Sequence, residues 1–403
     1  MLTEPQYDRL IRQADRIHRF PAKMTPRLAY SVLKPILSPH PPGEMRFHDP
    51  LCGSGLTALV ARSLGASVSA CDISYPAVII SKAKLTRLSD KSMREMLEFS
   101  SNLEASNKPR PRYPWPNWNI WYRPKVLRCL EDLADSIYEE RRHAFFPHVL
   151  TALSQTIWDV SSADKKVMVP TRSHYSFMPN LSVQNVIANV GKRLERIVSA
   201  QDALGRLSVS SGAPDIYQSS SLCEEGWRTE SKHVIMSSPP YGCGIDYERV
   251  FRLQMRVFSR FLSPSCSPHS GMIGRITHLT AGIEALPDSE TKSSWYRAIS
   301  KDAKAERRLR MFLQYVHDFR VFVRLCARHL SKSGRLCLVI GNPEIAKRKL
   351  PLTRIAREVA EEEGFQLVAT PRLDKIRNRT QQFKLRSATG PIKEEFLLSF
   401  RLK

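Results

Sequence analysis

Short apolar runs alternate along this chain with longer segments whose apolar residues recur every three or four positions. The runs "MRFHD", "ASVSACD", "APDIYQ", "HVIMS" and "GRLCLVIG" predict buried strands that begin near residues 45, 66, 213, 233 and 334. The intervening segments predict helices, including 56–65, 247–262, 303–330 and 353–364. Two last runs, 365–373 and 394–400, predict a closing strand pair. Helices that alternate with buried strands indicate an α/β fold with a mostly parallel sheet.

Two parts of the chain show only helical patterns. Residues 1–20 predict a short helix, and a second helix is expected from Pro26 after a turn at Pro21. Between about 115 and 203 the pattern is helical with no strand signal, after a charged helical stretch that ends in the linker "SNKPRPRYP". We therefore expect a helical insertion at 101–212 that separates an N-terminal part, 1–100, from a C-terminal part, 213–403.

The charge balance points to a polyanionic partner. Lys and Arg number 62 against 39 Asp and Glu, a formal net charge of +23, which favours nucleic acid, with a solubility surface as the alternative. The 8 cysteines form no CxxC pair, so neither a metal site nor a disulfide framework is indicated. No apolar run has the length of a membrane span and the first residues do not resemble a signal peptide, so a cytoplasmic protein is expected.

The stretch "DPLCGSGLT" follows the first predicted strand. With the next helix, the next strand and Asp72, it reads as the opening of a dinucleotide-type βαβ unit. Gly53 and Gly55 would let the backbone turn sharply beside a ligand, and Asp72 would accept hydrogen bonds from ribose hydroxyls. The alternative is a tight turn with a helix cap.

The stretch "SSPPYG" follows the strand at 233–237. Both loops should project beyond the carboxyl ends of parallel strands, where ligands bind in open α/β sheets. Tyr241 could stack on an extruded base, while the Ser238 hydroxyl and the Pro239 carbonyl could accept hydrogen bonds from an exocyclic amine. Pro239 and Pro240 would hold this geometry stiffly. A plain strand-ending turn would explain the prolines but not the Ser and Tyr.

Together, "DPLCGSGLT" and "SSPPYG" resemble the cofactor and catalytic loops of the amino-group DNA methyltransferases, in the α-like motif order. The resemblance implies a Rossmann-like class I fold with a seven-stranded sheet, and S-adenosylmethionine as cofactor. The stretch "FPAKMTP" is similar to a further cofactor element of that family. The implied catalytic residues are Ser238, Pro239, Pro240 and Tyr241; the implied cofactor-binding residues are Phe20, Lys23, Thr25, Asp49, Pro50, Cys52, Gly53, Ser54, Gly55, Asp72 and Ile73.

The Ser-Pro-Pro-Tyr form implies methylation of cytosine N4, and the family implies double-stranded DNA with the base flipped out. The enzyme would belong either to a restriction–modification system, with a cognate restriction endonuclease as partner, or to an epigenetic system. Adenine N6, an RNA substrate and a non-catalytic nucleic-acid-binding subunit remain alternatives, whereas a nicotinamide oxidoreductase would leave the proline loop unexplained. Leu51 and Leu56 depart from the family's usual residues. The acidic residue expected to contact the adenine is also missing, and Ser219 stands near its place; either Asp215 substitutes for it or the contact is absent.

Several segments are candidates for nucleic-acid contact. The stretch "RPRYPWPNWNIWYRPK" holds Trp115, Trp118, Trp121 and Tyr122, which either grip bases or anchor the insertion on the core, and we favour anchoring. Basic stretches near Arg307 and Arg377 are stronger candidates for phosphate contact. The insertion, or the loop-rich segment 263–294, would read the target sequence. Asp246 is expected to cap the following helix and His233 to be structural.

Overall fold

The computed structural model describes residues 3–21, 23–172, 177–207, 212–228, 231–242, 247–259, 272–273, 281–346, 348–370, 372–373 and 394–403. The helices of these ranges are α1 (Glu4–Asp15), α2 (Pro26–Leu37), α3 (Leu56–Ser63), α4 (Tyr75–Leu85), α5 (Asp90–Ser101), α6 (Pro124–Glu139), α7 (Phe146–Asp159), α8 (Val183–Arg206), α9 (Tyr247–Phe258), α10 (Asp288–Thr291), α11 (Ser294–Ser300), α12 (Glu306–His329) and α13 (Leu352–Glu362). The strands are β1 (Arg46–Asp49), β2 (Ser67–Asp72), β3 (Asp215–Gln218), β4 (Lys232–Ser237), β5 (Leu330–Gly341), β6 (Glu344–Ile345), β7 (Arg348–Lys349), β8 (Phe365–Ala369), β9 (Arg372–Leu373) and β10 (Glu395–Leu402).

The main sheet has the strand order β3-β2-β1-β4-β5-β10-β8, and the short β9 pairs with β10. Neighbours from β3 to β5 are parallel, whereas β10 runs antiparallel between β5 and β8. The predicted α/β fold with a mostly parallel, seven-strand sheet is therefore confirmed. The chain moves outward from β1 to β3 and then returns to place β4 against the other side of β1. This reversal makes the space between the ends of β1 and β4 a topological switch point.

Both faces of the sheet are covered by helices, because successive side chains of each central strand point to opposite sides. In β4, Val234 and Met236 lie in an apolar cluster with α1, α2 and α3, whereas Ile235 lies in a second cluster with α12 and α13. Central strands buried on both faces read as continuous apolar runs rather than as alternating ones. This burial explains why "HVIMS" and "GRLCLVIG" carry almost no polar residues in their middle.

The helices of the predicted insertion share an apolar core with the rest of the chain. Side chains of α6, α7 and α8 form one buried cluster with Ile79 and Ala83 of α4 and with Leu253 and Val257 of α9. Since α9 follows the Ser-Pro-Pro-Tyr loop, this cluster links the helices of 101–212 to the side of the sheet where that loop lies.

Most predicted elements lie within a few residues of the observed ones, and two differences are informative. Strand β5 begins at Leu330, directly after α12, rather than at Gly334, and the hairpin of β6 and β7 was not predicted. Half of the predicted loop-rich segment 263–294 lies outside the described residues, as does the end of the helix predicted to reach residue 262. Within the described ranges, no helix is long and apolar enough to cross a bilayer, and no group of three potential metal ligands is found.

Candidate active site

The two loops singled out in the sequence lie side by side at one edge of the sheet. The glycine turn follows β1 and the Ser-Pro-Pro-Tyr loop follows β4, and these strands are parallel neighbours, with His48 paired to Ile235. Their carboxyl ends therefore open into the same crevice, at the switch point where open α/β sheets bind ligands.

Asp49 connects the two loops from below. Its carboxylate accepts hydrogen bonds from the Ser237 hydroxyl (2.8 Å) at the end of β4, from the Leu51 amide (3.1 Å) and from the Thr57 hydroxyl. The residue is only 2% exposed, and this burial raises the pKa of Asp49 to about 6 even though its hydrogen bonds act to lower it. That Asp49 lines the cofactor stays a prediction; in the structure its carboxylate braces the ends of β1 and β4.

The glycine turn needs its glycines for two reasons. Gly53 and Gly55 have φ of +51° and +73°, in the left-handed region that side chains disfavour. A Cβ at Gly53 would also lie 2.9 Å from Cε1 of Phe20, and one at Gly55 would lie 2.7 Å from Oγ of Ser81. The loop is thus packed tightly between the "FPAKMTP" segment and α4. Its remaining predicted cofactor residues, Pro50, Cys52 and Ser54, are buried.

Asp72 lies at the end of β2 beside the glycine turn. One carboxylate oxygen accepts from the Gly53 amide (2.9 Å) and the other from the Ser74 amide (2.8 Å). Burial raises the pKa of Asp72 to about 6, against the lowering effect of these amides. A carboxylate has about four acceptor positions, so this half-buried group keeps capacity for hydroxyl donors. The adjacent Ile73 is half-buried, and its carbonyl accepts from Nε2 of Gln218 (2.9 Å).

The suggestion that Asp215 replaces the adenine-contacting acid is wrong. Asp215 is the first residue of β3 and pairs with Ser69, whereas Gln218 pairs with Asp72. At about 3.3 Å per residue, Asp215 lies about 10 Å from the ligand-binding edge, and its side chain pairs with Arg228 at 3.4 Å. Ser219 is on the correct edge, and its amide donates to the carbonyl of Asp72 (3.1 Å).

The "FPAKMTP" segment reaches the crevice from the opposite side of the glycine turn. The ring of Phe20 lies 6.1 Å from that of Tyr247 and 5.4 Å from that of Phe251, both in α9. Burial, and then the Asp72 carboxylate, raise the pKa of Tyr247. Sequence reasoning missed Tyr247. Its position at the start of α9, the helix after the Ser-Pro-Pro-Tyr loop, was the available signal.

Lys23 belongs to a buried charge cluster. Its ammonium and that of Lys84, which is 1% exposed, contact different oxygens of the Asp15 carboxylate, with 2.6 Å between Lys84 and Asp15. Two ammonium groups against one carboxylate leave a net positive charge in this cluster. Thr25 is exposed, and its hydroxyl accepts from the Leu28 amide (3.3 Å) as the N-cap of α2.

The Ser-Pro-Pro-Tyr loop is tied down at its far end. Oγ of Ser238 lies 3.1 Å from the hydroxyl of Tyr241, which donates to Oε1 of Glu395 at 3.0 Å. Burial, and then the Glu395 carboxylate, raise the pKa of Tyr241, so the phenol stays protonated at neutral pH. Pro239 is buried and Pro240 half-buried. Sequence reasoning missed Glu395, which stands 154 positions beyond Tyr241.

The aromatic residues at the start of the insertion are core residues. Trp121 and Tyr122 are buried, and Trp115 and Trp118 pack against the same cluster. The guanidinium of Arg252, in α9, lies 4.7 Å from the centre of the Trp121 ring. The anchoring interpretation of these residues is therefore confirmed.

Other sequence candidates divide between the surface and undescribed residues. Arg307 is exposed on the first turn of α12. The basic stretch around Arg377 and the expected helix cap Asp246 lie outside the described residues. His233 is half-buried and accepts from the Arg46 amide (3.1 Å), which agrees with the structural role expected for it.

Comparison with known proteins supports a methyltransferase. The chain is 23% identical over 376 residues to the type II methyltransferase M.MvaI of Kocuria varians. The aligned region covers 85% of this chain and 80% of that methyltransferase. No protein-family model matches the chain. The solved structure of the rRNA methyltransferase aviRa from Streptomyces viridochromogenes aligns with 100% of this chain and 94% of its own, at 10% identity. The TM-score of this alignment is 0.35, which is too low to indicate a shared fold. The mixed α/β fold with its mostly parallel sheet is consistent with a methyltransferase fold.

Proposed function

We propose that this protein is a class I, S-adenosylmethionine-dependent DNA methyltransferase that modifies the exocyclic N4 of cytosine at a specific site. The observation that carries the proposal is the contact between the two loops, made by the 2.8 Å hydrogen bond from Ser237 to Asp49 at the switch point. It brings a glycine turn suited to a nucleoside cofactor beside a loop suited to an amine-bearing base. The sequence similarity to a type II methyltransferase supports the same chemistry.

The residues around the glycine turn fit the proposed cofactor. Asp72 has acceptor capacity for ribose hydroxyls, and the free backbone amides at the start of α3 suit a carboxylate. The net positive charge around Lys23 would add to that attraction, and Phe20 would supply apolar surface. When bound, the cofactor supplies an activated methyl group. The chain therefore has mainly to align the acceptor nitrogen, and alignment of this kind contributes roughly 7–11 kcal/mol.

In the proposed mechanism the Ser-Pro-Pro-Tyr loop holds the base. An exocyclic amine is a weak nucleophile because its lone pair is delocalised into the ring. Acceptance of its N–H groups by the Ser238 hydroxyl and the Pro239 carbonyl would favour a more nucleophilic, tetrahedral nitrogen. The Tyr241 ring would stack on a base that has left the duplex, and Pro240, with its fixed φ, would keep the carbonyls in place.

The proposed substrate is double-stranded DNA. The net charge of +23 suits a polyanion, and exposed cations such as Arg307 would contact phosphates without reading sequence. Recognition would fall to the helical insertion or to the segment 263–294. A site-specific enzyme of this kind is expected to work beside a restriction endonuclease in a cytoplasmic, nucleoid-associated setting.

Mass spectrometry of nucleosides tests the proposal. Unmethylated DNA amplified from a bacterial genome is incubated with the protein and S-adenosylmethionine carrying a labelled methyl group, then digested. Labelled N4-methylcytosine is the expected product, and Ser238→Ala should abolish it. Labelled N6-methyladenine would correct the base, label found only in a parallel ribosomal RNA sample would correct the polymer, and label in neither would refute the enzyme.

A further inference from the structure

A buried carboxylate stands behind the catalytic loop. Glu395 is the first residue of β10 and is 8% exposed. Because β10 is antiparallel to β5, Glu395 pairs with Gly341 at the end of β5, on the edge of the sheet where both loops lie. Its Oε1 accepts the hydrogen bond of the Tyr241 hydroxyl at 3.0 Å. The proposed mechanism uses Ser238 and Tyr241 but leaves this carboxylate without a role.

The Glu395 carboxylate determines the direction of two hydrogen bonds, the one from Tyr241 to Glu395 and the one between Ser238 and Tyr241. An ionised carboxylate only accepts, so the single hydroxyl proton of Tyr241 is directed to Glu395. The phenol oxygen can then only accept from Ser238, whose Oγ lies 3.1 Å away. With its own proton used in this way, the Ser238 oxygen presents lone pairs to the crevice. A group that donates N–H, such as an exocyclic amine, matches this arrangement.

We infer that Glu395 is a positioning residue that acts through Tyr241 to hold the Ser238 hydroxyl as an acceptor for the amine of the target base. The inference rests on the proposed function and extends it to a third chain segment. A neutral glutamine at 395 has nearly the same shape but could rotate its amide to donate to Tyr241. Both hydrogen bonds of the series Ser238–Tyr241–395 could then reverse their direction, and the Ser238 hydroxyl would point its proton toward the amine.

The test compares Glu395→Gln, Glu395→Asp, Tyr241→Phe and the double variant Tyr241→Phe/Glu395→Gln. Glu394→Gln is the matched control, because the neighbouring Glu394 pairs with Lys349 at 2.9 Å at the surface. The substrate is unmethylated DNA amplified from a bacterial genome. The measured quantities are kcat, the calorimetric affinity for S-adenosylhomocysteine and the thermal midpoint.

We expect Glu395→Gln to lower kcat by about tenfold to hundredfold, because it misplaces a reacting group. The affinity for S-adenosylhomocysteine should stay within about twofold of the parent, because Glu395 acts on the position of the base and not on the cofactor. Tyr241→Phe should lower kcat by a similar factor. The double variant should lower kcat no further than either single variant, because each substitution interrupts the same series of hydrogen bonds. Glu395→Asp, shorter but still only an acceptor, should retain more activity than Glu395→Gln.

Three results would overturn the inference. These are a Glu395→Gln variant as active as Glu394→Gln, an Asp variant less active than the Gln variant, and losses that multiply in the double variant. Any of them in an active parent enzyme would leave the proposed function standing. A parent protein that methylates neither DNA nor ribosomal RNA would overturn the proposed function, and the role of Glu395 with it.

Discussion

Substitution of Gly53 by alanine is the most direct test of how the glycine turn packs. The backbone there has φ of +51°, which costs a residue with a side chain about 1–2 kcal/mol. The new Cβ would lie 2.9 Å and 3.2 Å from two ring carbons of Phe20, well inside the usual contact distance of about 3.5–4.0 Å. Displacement of a packed ring adds about 1–3 kcal/mol. We therefore expect Gly53→Ala to lower the free energy of unfolding by about 2–5 kcal/mol.

Gly43→Ala is the matched control. Gly43 has φ of +85°, and a Cβ there would meet no atom within 4 Å, so only the backbone cost of about 1–2 kcal/mol applies. Equilibrium urea unfolding of both variants separates the two contributions. Calorimetry with S-adenosylhomocysteine should show weaker binding for Gly53→Ala only, because Gly43 lies away from the crevice.

The contact with Phe20 can be tested separately by a double-mutant cycle. If the ring of Phe20 is what the new methyl group meets, Gly53→Ala should cost about 1–3 kcal/mol less in a Phe20→Ala background. Equal losses at Gly53 and Gly43, or a cycle with no coupling, would refute the proposed packing of the "FPAKMTP" segment on the glycine turn.

Other contacts of the site yield four further predictions. Asp72→Asn should weaken S-adenosylhomocysteine binding about tenfold or more, since hydrogen bonds to charged groups contribute about 1.5–3 kcal/mol; an unchanged calorimetric affinity would remove the ribose role. Because the raised pKa of Asp72 is about 6, the parent protein should lose affinity as the pH falls from 7.5 to 5.5 and the carboxylate is protonated, and Asp72→Asn should lose most of that dependence; equal slopes would contradict the assignment. Ser237→Ala leaves the buried Asp49 with one hydrogen bond fewer and should cost about 1–3 kcal/mol in urea unfolding, so unaltered stability would argue against the brace. Lys84→Met leaves the buried Asp15 paired with Lys23 alone and should cost about 1.5–3 kcal/mol in urea unfolding, as the loss of a hydrogen bond to a charged group does; a variant as stable as the parent would show that the Lys84–Asp15 pair contributes nothing.

The sheet and the approximate site follow from local features of the sequence. Buried strands such as "HVIMS" are continuous apolar runs because helices cover both faces of the sheet, and the helix after the glycine turn ends where a glycine stands. The placement of Gly53 and Ser238 at one edge follows from the rule that parallel strands end on the same side. What these patterns cannot specify is the register between distant strands.

The site features missed in the sequence depend on contacts between distant segments of the chain. Asp215 looked like a ligand residue because it is acidic, yet its pairing with Ser69 places it at the wrong end of β3. Nothing in the local sequence singles out Glu395, the first residue of the last strand. Only the insertion of β10 between β5 and β8 brings it to Tyr241. Tyr247 likewise depends on how α9 packs across the crevice.

An experimental structure with bound S-adenosylhomocysteine tests the central claim most directly. The account predicts that the ribose hydroxyls lie within hydrogen-bond distance of Asp72, and that the sulfur faces Ser238 across a space large enough for one base. A ligand held at another edge of the sheet, or one whose sulfur points away from the Ser-Pro-Pro-Tyr loop, would contradict it.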